Sequence, residues 1–364
     1  MEPYVLTIML ICVLGFLVVI ARQNAWSGQM LIGKRKYTAS VETVLWLMIL
    51  LAFLLFGGLR YRVGTDYDSY CTIFTNICAD WYDVLYDGTE RGYVWLNRLV
   101  SLFTDDPQWM IFVTNGFISF FGVWCIRRYS KFPPLSLYLF FTTIYYQGFN
   151  LIRQGMACAL VFLAFGFARD RKWIKCYGLL IIASLFHRTA LVVIPIMFLM
   201  HFTYRPVWYF LFAAVSCLGF LLQGPINDFL LQIYPTAAQA SSAYLYEEFS
   251  PVQVVLCGIY LFLCLRYYNQ LLEKNKGNIL YINFSILLFG LYTCFYWIPM
   301  WGRLQLYFIC IYALIVPEVV SCEKNRMLRI LYYAVIWGIL LFFFIVPNLV
   351  GGSGLWTYQT IFSR

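Results

Sequence analysis

The sequence predicts an all-α protein, a polytopic transmembrane helix bundle of about twelve helices forming a single membrane domain over residues 1–364. Two observations predict it. Of 364 residues, 62% are hydrophobic and only 12% are charged, which lies outside the composition of soluble domains. Cutting the chain at its charged clusters leaves about twelve apolar segments, near 4–21, 41–59, 109–126, 133–152, 154–168, 173–187, 189–204, 206–223, 251–267, 279–298, 304–321 and 330–347.

Taken in order, the segments carry their own orientation signals. The first lacks a basic lead and a small-residue cleavage site, so it is expected to stay as a helix and not to be removed as a signal peptide. Loops 22–40, 127–131, 169–175, 205, 266–276 and 324–329 hold eighteen of the 26 Lys and Arg residues. Cytoplasmic loops retain the cations, which makes this side the inner one and puts both ends of the chain outside. The net charge of +9 is therefore a topology signal, and no nucleic-acid partner is expected. Two larger hydrophilic stretches, 60–108 and 224–250, are left outside the cytoplasm. In the first, GTERGYVWLNRLVSLF (88–103) has apolar residues at 93, 95, 96, 99, 100, 102 and 103, a wide helical stripe, with Glu90 and Asn97 sharing another face. Such a helix either presents Glu90 to a cavity or lies at the interface with a solvated polar face.

The outer cations are Arg60, Arg62, Arg91, Arg98, Arg153, Arg188, Arg303 and Arg364, whereas all eight lysines fall inside. A guanidinium offers a rigid fork where an ammonium is a point charge, so an arginine-only outer face suits a phosphate-bearing ligand. The same side holds twelve of the seventeen carboxylates.

Polarity is concentrated in a few short stretches at that side. LRYRVGTDYDSY (59–70) directly follows the second apolar segment. FNLIRQGMA (149–157) and SLFHRTA (184–190) sit at hairpins between segments of only fifteen (154–168) and eleven (176–186) uncharged residues. A spanning helix needs roughly 20 residues, so these segments cross only if Arg153 and His187 are drawn below the surface. Ionisable groups at that depth face a watery cavity or a partner; an Arg or His at a helix end also snorkels to the headgroups. His201, at the inner end of its segment, reads as structural. In FYWIPMWGRLQLYF (295–308), Pro299 and Gly302 loosen a helix boundary just before Arg303.

The combination of RYRVGTDYDSY, the later Glu90, LIRQGMACAL, LFHRTALVVIP and WGRLQLYF resembles the EpsG-like family of polysaccharide polymerases, relatives of the Wzy-type O-antigen polymerases. The resemblance covers roughly residues 40 to 310 and carries little over to the tail GGSGLWTYQTIFSR. It implies a GT-C-like, multi-pass glycosyltransferase of the bacterial inner membrane, working without a cofactor. Such an enzyme polymerises undecaprenyl-pyrophosphate-linked oligosaccharide repeat units at the periplasmic face. The implied partners are that lipid-linked oligosaccharide, the bilayer, and the chain-length regulator and flippase of the same pathway. The implied catalytic residues are Asp66, Glu90 and His187, with Arg60, Arg62, Tyr67, Arg153, Gln154, Arg188 and Arg303 binding substrate. Arg60, Arg153 and Arg303 would face the pyrophosphates, Asp66 or Glu90 the acceptor hydroxyl, and His187 with Gln154 would orient phosphate or sugar. Asp66 would alternatively pair with Arg60 or Arg62 to hold the loop.

No metal site is expected, because the two histidines are far apart and neither CxxC nor HExxH occurs. Cys71 and Cys78 fall in the 60–108 stretch, where an oxidising compartment permits a disulfide that spacing alone does not decide. Other classes fit less well. A flippase or exporter of lipid-linked oligosaccharide needs arginines reaching the bilayer middle, and a membrane O-acetyltransferase needs an inner route for its acyl donor. An O-antigen ligase differs in its acceptor. The orientation is checked with a single cysteine at Asp87, Cys71 and Cys78 being replaced by serine: an impermeant maleimide added from outside labels it. Labelling from the cytoplasmic side alone overturns the orientation and the site with it.

Overall fold

The computed structural model describes residues 2–24, 27–32, 35–86, 88–233, 251–294, 301–350 and 357–363, and these are largely helical. Helix α1 (Glu2–Asn24) leads into an antiparallel ribbon, β1 (Ser27–Ile32) with β2 (Arg35–Ser40), and then α2 (Val41–Gly58). The ribbon is a short local exception within the helical architecture that was expected. Its register runs from Ser27↔Ser40 to Ile32↔Arg35, so a stretch lying between two apolar helices pairs its backbone groups with each other. The connection after α2 holds α3 (Tyr67–Tyr86) and α4 (Arg91–Ser101). Next come α5 (Pro107–Tyr129) and α6 (Pro133–Phe140), which continues into a π-helical turn at Phe141–Tyr145. The series runs on through α7 (Ile152–Arg169), α8 (Trp173–Phe186), a 3-10 turn at Arg188–Val192, α9 (Val193–Met200), α10 (Pro206–Leu221) and α11 (Gln223–Ile233). It closes with α12 (Pro251–Arg266), α13 (Tyr268–Lys274), α14 (Ile279–Cys294), α15 (Trp301–Ile309), α16 (Tyr312–Val320) and α17 (Arg326–Val350).

Five helices among the described residues are long and apolar enough to cross a membrane: α1, α2, α5, α7 and the run Arg303–Val320 through α15 and α16. The α12–α13 pair, bent by 70°, makes a sixth if it is one span. Trp173–Phe186 and Arg188–Met200 are apolar but shorter. Among these spans α7 is the most enclosed, buried at nearly every position from Ile152 to Ala168 and packed against α5, α8 and α15. Its span begins with Arg153 inside the first turn, half-buried against its neighbours.

The two ends of the bundle differ in chemistry. At one end Arg22 pairs with Glu42 at 2.8 Å and donates to the Arg127 carbonyl at 3.0 Å, while Arg127 reaches Thr43. Arg169 meets Glu318 at 3.6 Å and Lys274 donates to Ser321 at 2.8 Å. At the opposite end Tyr4, Phe56, Tyr146 and Tyr358 form an aromatic cluster with centroids 4.5–5.6 Å apart. Residues 357–363 return to this end. Tyr61 N–H donates to the Gln359 carbonyl at 2.9 Å and Ile361 N–H to the Leu59 carbonyl at 3.0 Å, bridging Arg60 with Thr360. Tyr358 stacks flat on Phe56, and its hydroxyl donates to the Phe56 carbonyl.

Close approach of α2 to α5 depends on Gly57, where an added Cβ would overlap Asn115 Oδ1 and the Tyr145 hydroxyl. Gly57→Ala is therefore expected to lower stability by about 1–3 kcal/mol, seen as an earlier thermal unfolding midpoint in detergent. An unchanged midpoint would show that the helices are not this close.

Candidate functional site

Glu90 is the N-cap of α4, and the helix is pressed against α8 because its second residue is Gly92. A Cβ at Gly92 would lie 2.8 Å from the Leu185 carbonyl oxygen. α8 ends one residue later, where His187 N–H closes on the Ala183 carbonyl at 3.0 Å. The two helix ends thus meet, and Glu90 Oε1 stands 2.9 Å from His187 Nδ1. The other carboxylate oxygen, Oε2, accepts from the Arg153 guanidinium in the first turn of α7. Three elements distant in sequence converge on one carboxylate that is 7% exposed.

Burial pushes the Glu90 carboxyl upward, but the hydrogen bond from His187 and the charge of Arg153 outweigh it and hold the pKa at about 2. Glu90 is then a carboxylate and an acceptor only. His187 Nδ1 must carry the proton it shares with Glu90, which leaves Nε2 for another partner. Arg153 keeps spare capacity too, since its Nε is buried with no acceptor among the described residues. The Tyr70 phenol is pushed up by burial, while Arg153, through its guanidinium and backbone N–H, pulls it the other way.

The RYRVGTDY stretch braces this group from behind. Arg60 is 1% exposed; it donates to the carbonyls of Gly57 at 2.9 Å and Phe149 at 3.5 Å and lies over the Phe149 ring at 4.3 Å. Gly64, at φ +103°, takes a backbone conformation that costs glycine little and turns the chain. Thr65 N–H then donates to Asn150 Oδ1 at 2.9 Å. Residues 60–65 therefore grip positions 149 and 150, just ahead of Arg153. Tyr67 faces inward, its hydroxyl on Gln108 Oε1 at 2.7 Å, and Gln108 in turn donates to the carbonyls of Gly58 and Arg60.

Of the residues singled out in the sequence, Glu90, Arg153 and His187 come together directly. Gln154 donates to the Arg303 backbone carbonyl, which puts the start of α15 beside the start of α7, with the Arg303 side chain exposed. Asp66 is half-buried, accepts from Thr65 Oγ1 at 3.1 Å and is close enough to Tyr70 to act on it electrostatically. Arg62 pairs loosely with Asp68 at 3.8 Å, both largely exposed. Arg188 is exposed and donates to the Gly88 carbonyl at 3.2 Å. α4 turns Glu90 and Asn97 inward while Trp95 and Leu99 face out. Asp87, the 295–297 aromatics, Pro299 and Arg364 lie outside the described residues.

Three neighbours went unassigned from sequence: Tyr70 beside Arg153, and the Thr189 and Tyr307 hydroxyls, 3.0 Å apart. All three sit inside the quoted motifs, and Tyr70 follows Asp66 by one helical turn, the spacing that was there to be used. Cys71 and Cys78 are free thiols on α3, two turns apart. That is about 10 Å along a helix, too far for a bridge. His201 is packed among Trp173, Phe198 and Phe202.

Because the Glu90 pKa is depressed, the stability it supplies is complete above its ordinary value of 4.5 and is lost as pH falls toward about 2. Between those limits the wild type should lose on the order of 2 kcal/mol more than Glu90→Gln, measured as the pH dependence of the unfolding midpoint. Parallel curves for the two proteins would mean that Glu90 is not paired.

A model of the EpsG family matches residues 43–360. No curated protein and no solved structure shows a significant match. The matched range contains every group of the site and most of the returning tail, and the chain belongs to the EpsG family, the polysaccharide-polymerase family its motifs resemble.

Proposed function

We propose that this protein is a GT-C-type glycosyltransferase of about twelve spans that polymerises undecaprenyl-pyrophosphate-linked oligosaccharide repeat units at the periplasmic face of a bacterial inner membrane. The observation that carries the reading is the Arg153–Glu90–His187 group at the end of the bundle opposite the cation-rich loops. A lipid pyrophosphate leaves readily once its developing charge is neutralised, and guanidiniums do this without a metal. Arg153, with its unused Nε, and the exposed Arg303 are assigned to the pyrophosphate. Both sit at helix starts, where the backbone dipole adds to their charge.

In the reaction the acceptor hydroxyl gives its proton to His187 Nε2 as its oxygen attacks the anomeric carbon of the donor glycan. The bond from that carbon to the pyrophosphate breaks, and undecaprenyl pyrophosphate departs with the electron pair. Glu90 holds the imidazole in the required tautomer and stabilises the imidazolium that forms, so it orients the base instead of acting as one. Asp66, one helical turn before Tyr70, binds an acceptor sugar hydroxyl. Arg60 and Tyr67 act through the backbone they hold, and Arg62 and Arg188 form the exposed rim facing headgroups.

Deletion and complementation test the reading, with surface glycan displayed on a gel. Loss of a polymerase leaves single-unit material, loss of a flippase leaves none outside, and loss of a ligase leaves polymer on the undecaprenyl lipid. Arg153→Lys keeps the charge and loses the fork, so at matched expression it should lower polymerisation by about 10²-fold. Full activity in Arg153→Lys would reduce the role of Arg153 to charge alone.

A further inference from the structure

Tyr307 is fully buried within the membrane-spanning run Arg303–Val320, yet it carries a hydroxyl. That hydroxyl lies 3.0 Å from Thr189 Oγ1, and the ring is within electrostatic reach of Glu90. Thr189 belongs to the 3-10 turn that follows His187, where Ala190 N–H bonds to the His187 carbonyl at 3.0 Å. The hydroxyl pair therefore ties α15 to the turn carrying His187. One turn earlier on α15, the Arg303 carbonyl accepts from Gln154, tying the same helix to α7 beside Arg153. α15 is pinned at two points, one on each element that supplies a reacting or charge-neutralising group.

Arg303 and Tyr307 are four residues apart and so share one face of α15. Side chains tilt toward a helix N-terminus, which sets Arg303 one turn beyond Tyr307, nearer the end of the bundle that holds the site. Arg303 is exposed and has no ion-pair partner among the described residues, leaving its fork free for a ligand.

Resting on the polymerase reading, we infer that the Thr189–Tyr307 hydroxyl pair is a strut that places Arg303 over the Arg153–Glu90–His187 group. Tyr307 and Thr189 are thereby positioning residues for recognition of the donor's pyrophosphate. A pair serving only to satisfy two hydroxyls would affect stability and leave pyrophosphate binding alone, which separates the two roles experimentally.

The test uses the full chain in nanodiscs with farnesyl pyrophosphate as the probe. Tyr307→Phe and Thr189→Val should each weaken binding about fivefold, the scale of one neutral hydrogen bond. Thr189→Ser, which keeps the hydroxyl, should bind as wild type. On an Arg303→Ala background Tyr307→Phe should cause no further loss, because the strut has nothing left to place. Thr189→Val reads the strut from its other end should Tyr307→Phe not fold. Wild-type affinity in both strut variants, or an equal loss from Tyr307→Phe with and without Arg303, overturns the inference and leaves the polymerase reading standing. Failure of the wild-type protein to bind farnesyl pyrophosphate overturns the polymerase reading itself.

Discussion

A carboxylate taken out of water needs both its oxygens answered, and those of Glu90 are answered by an arginine and a histidine from two other helices. Removing one partner from such a pair typically costs 3–5 kcal/mol, because the charge left behind stays buried. That constraint dictates much of the local architecture. α4 has to begin where α8 ends, so the contact residue is glycine. α8 has to stop at its short length, so His187 caps it instead of extending it. α7 has to start with its arginine already inside the bundle.

The arginines at this end divide the work by how each is satisfied. Arg153 is matched by an acid and keeps an edge unused. Arg60 has carbonyls and a phenyl face around it, and that geometry makes it a fastener between α2 and the chain preceding α7. Arg62, Arg188 and Arg303 are exposed. A lysine could take few of these roles, since each depends on several donors pointing in fixed directions from one plane. The bias toward arginine on this side of the sequence thus has a geometric reason beyond ligand charge.

What could be read from the residues followed their intrinsic cost. Arg153 and His187 are expensive where they stand, and expense is visible in a sequence, whereas Glu90 in its polar stretch was equally readable as solvated. Which carboxylate would meet which cation was not legible: Asp66 and Glu90 looked alike, and only the meeting of the α4 and α8 ends distinguishes them. The inward roles of Arg60 and Tyr67 were hidden for the same reason, because a charged residue next to a helix end reads as surface until its covering segment is known. The β1–β2 ribbon was missed because two six-residue strands in a polar stretch leave little periodicity to detect. Helical segments were legible from hydropathy, whereas their lengths, five or six of them long among the described residues, required the structure.

The cover over Arg60 comes from residues 357–363, and Tyr358 reaches Phe56 across 302 positions of sequence. Contacts between such remote segments close late, because most of the intervening chain has to be ordered first. During biogenesis the helices around Glu90 can pack in order of synthesis, but the fastener that steadies the approach to Arg153 waits for α17 to be made and residues 357–363 to reach the same end. A ribosome-bound or prematurely ended chain would hold Glu90, Arg153 and His187 without the backing that fixes their spacing. The spacing of these groups is thereby tied to the arrival of residues 357–363.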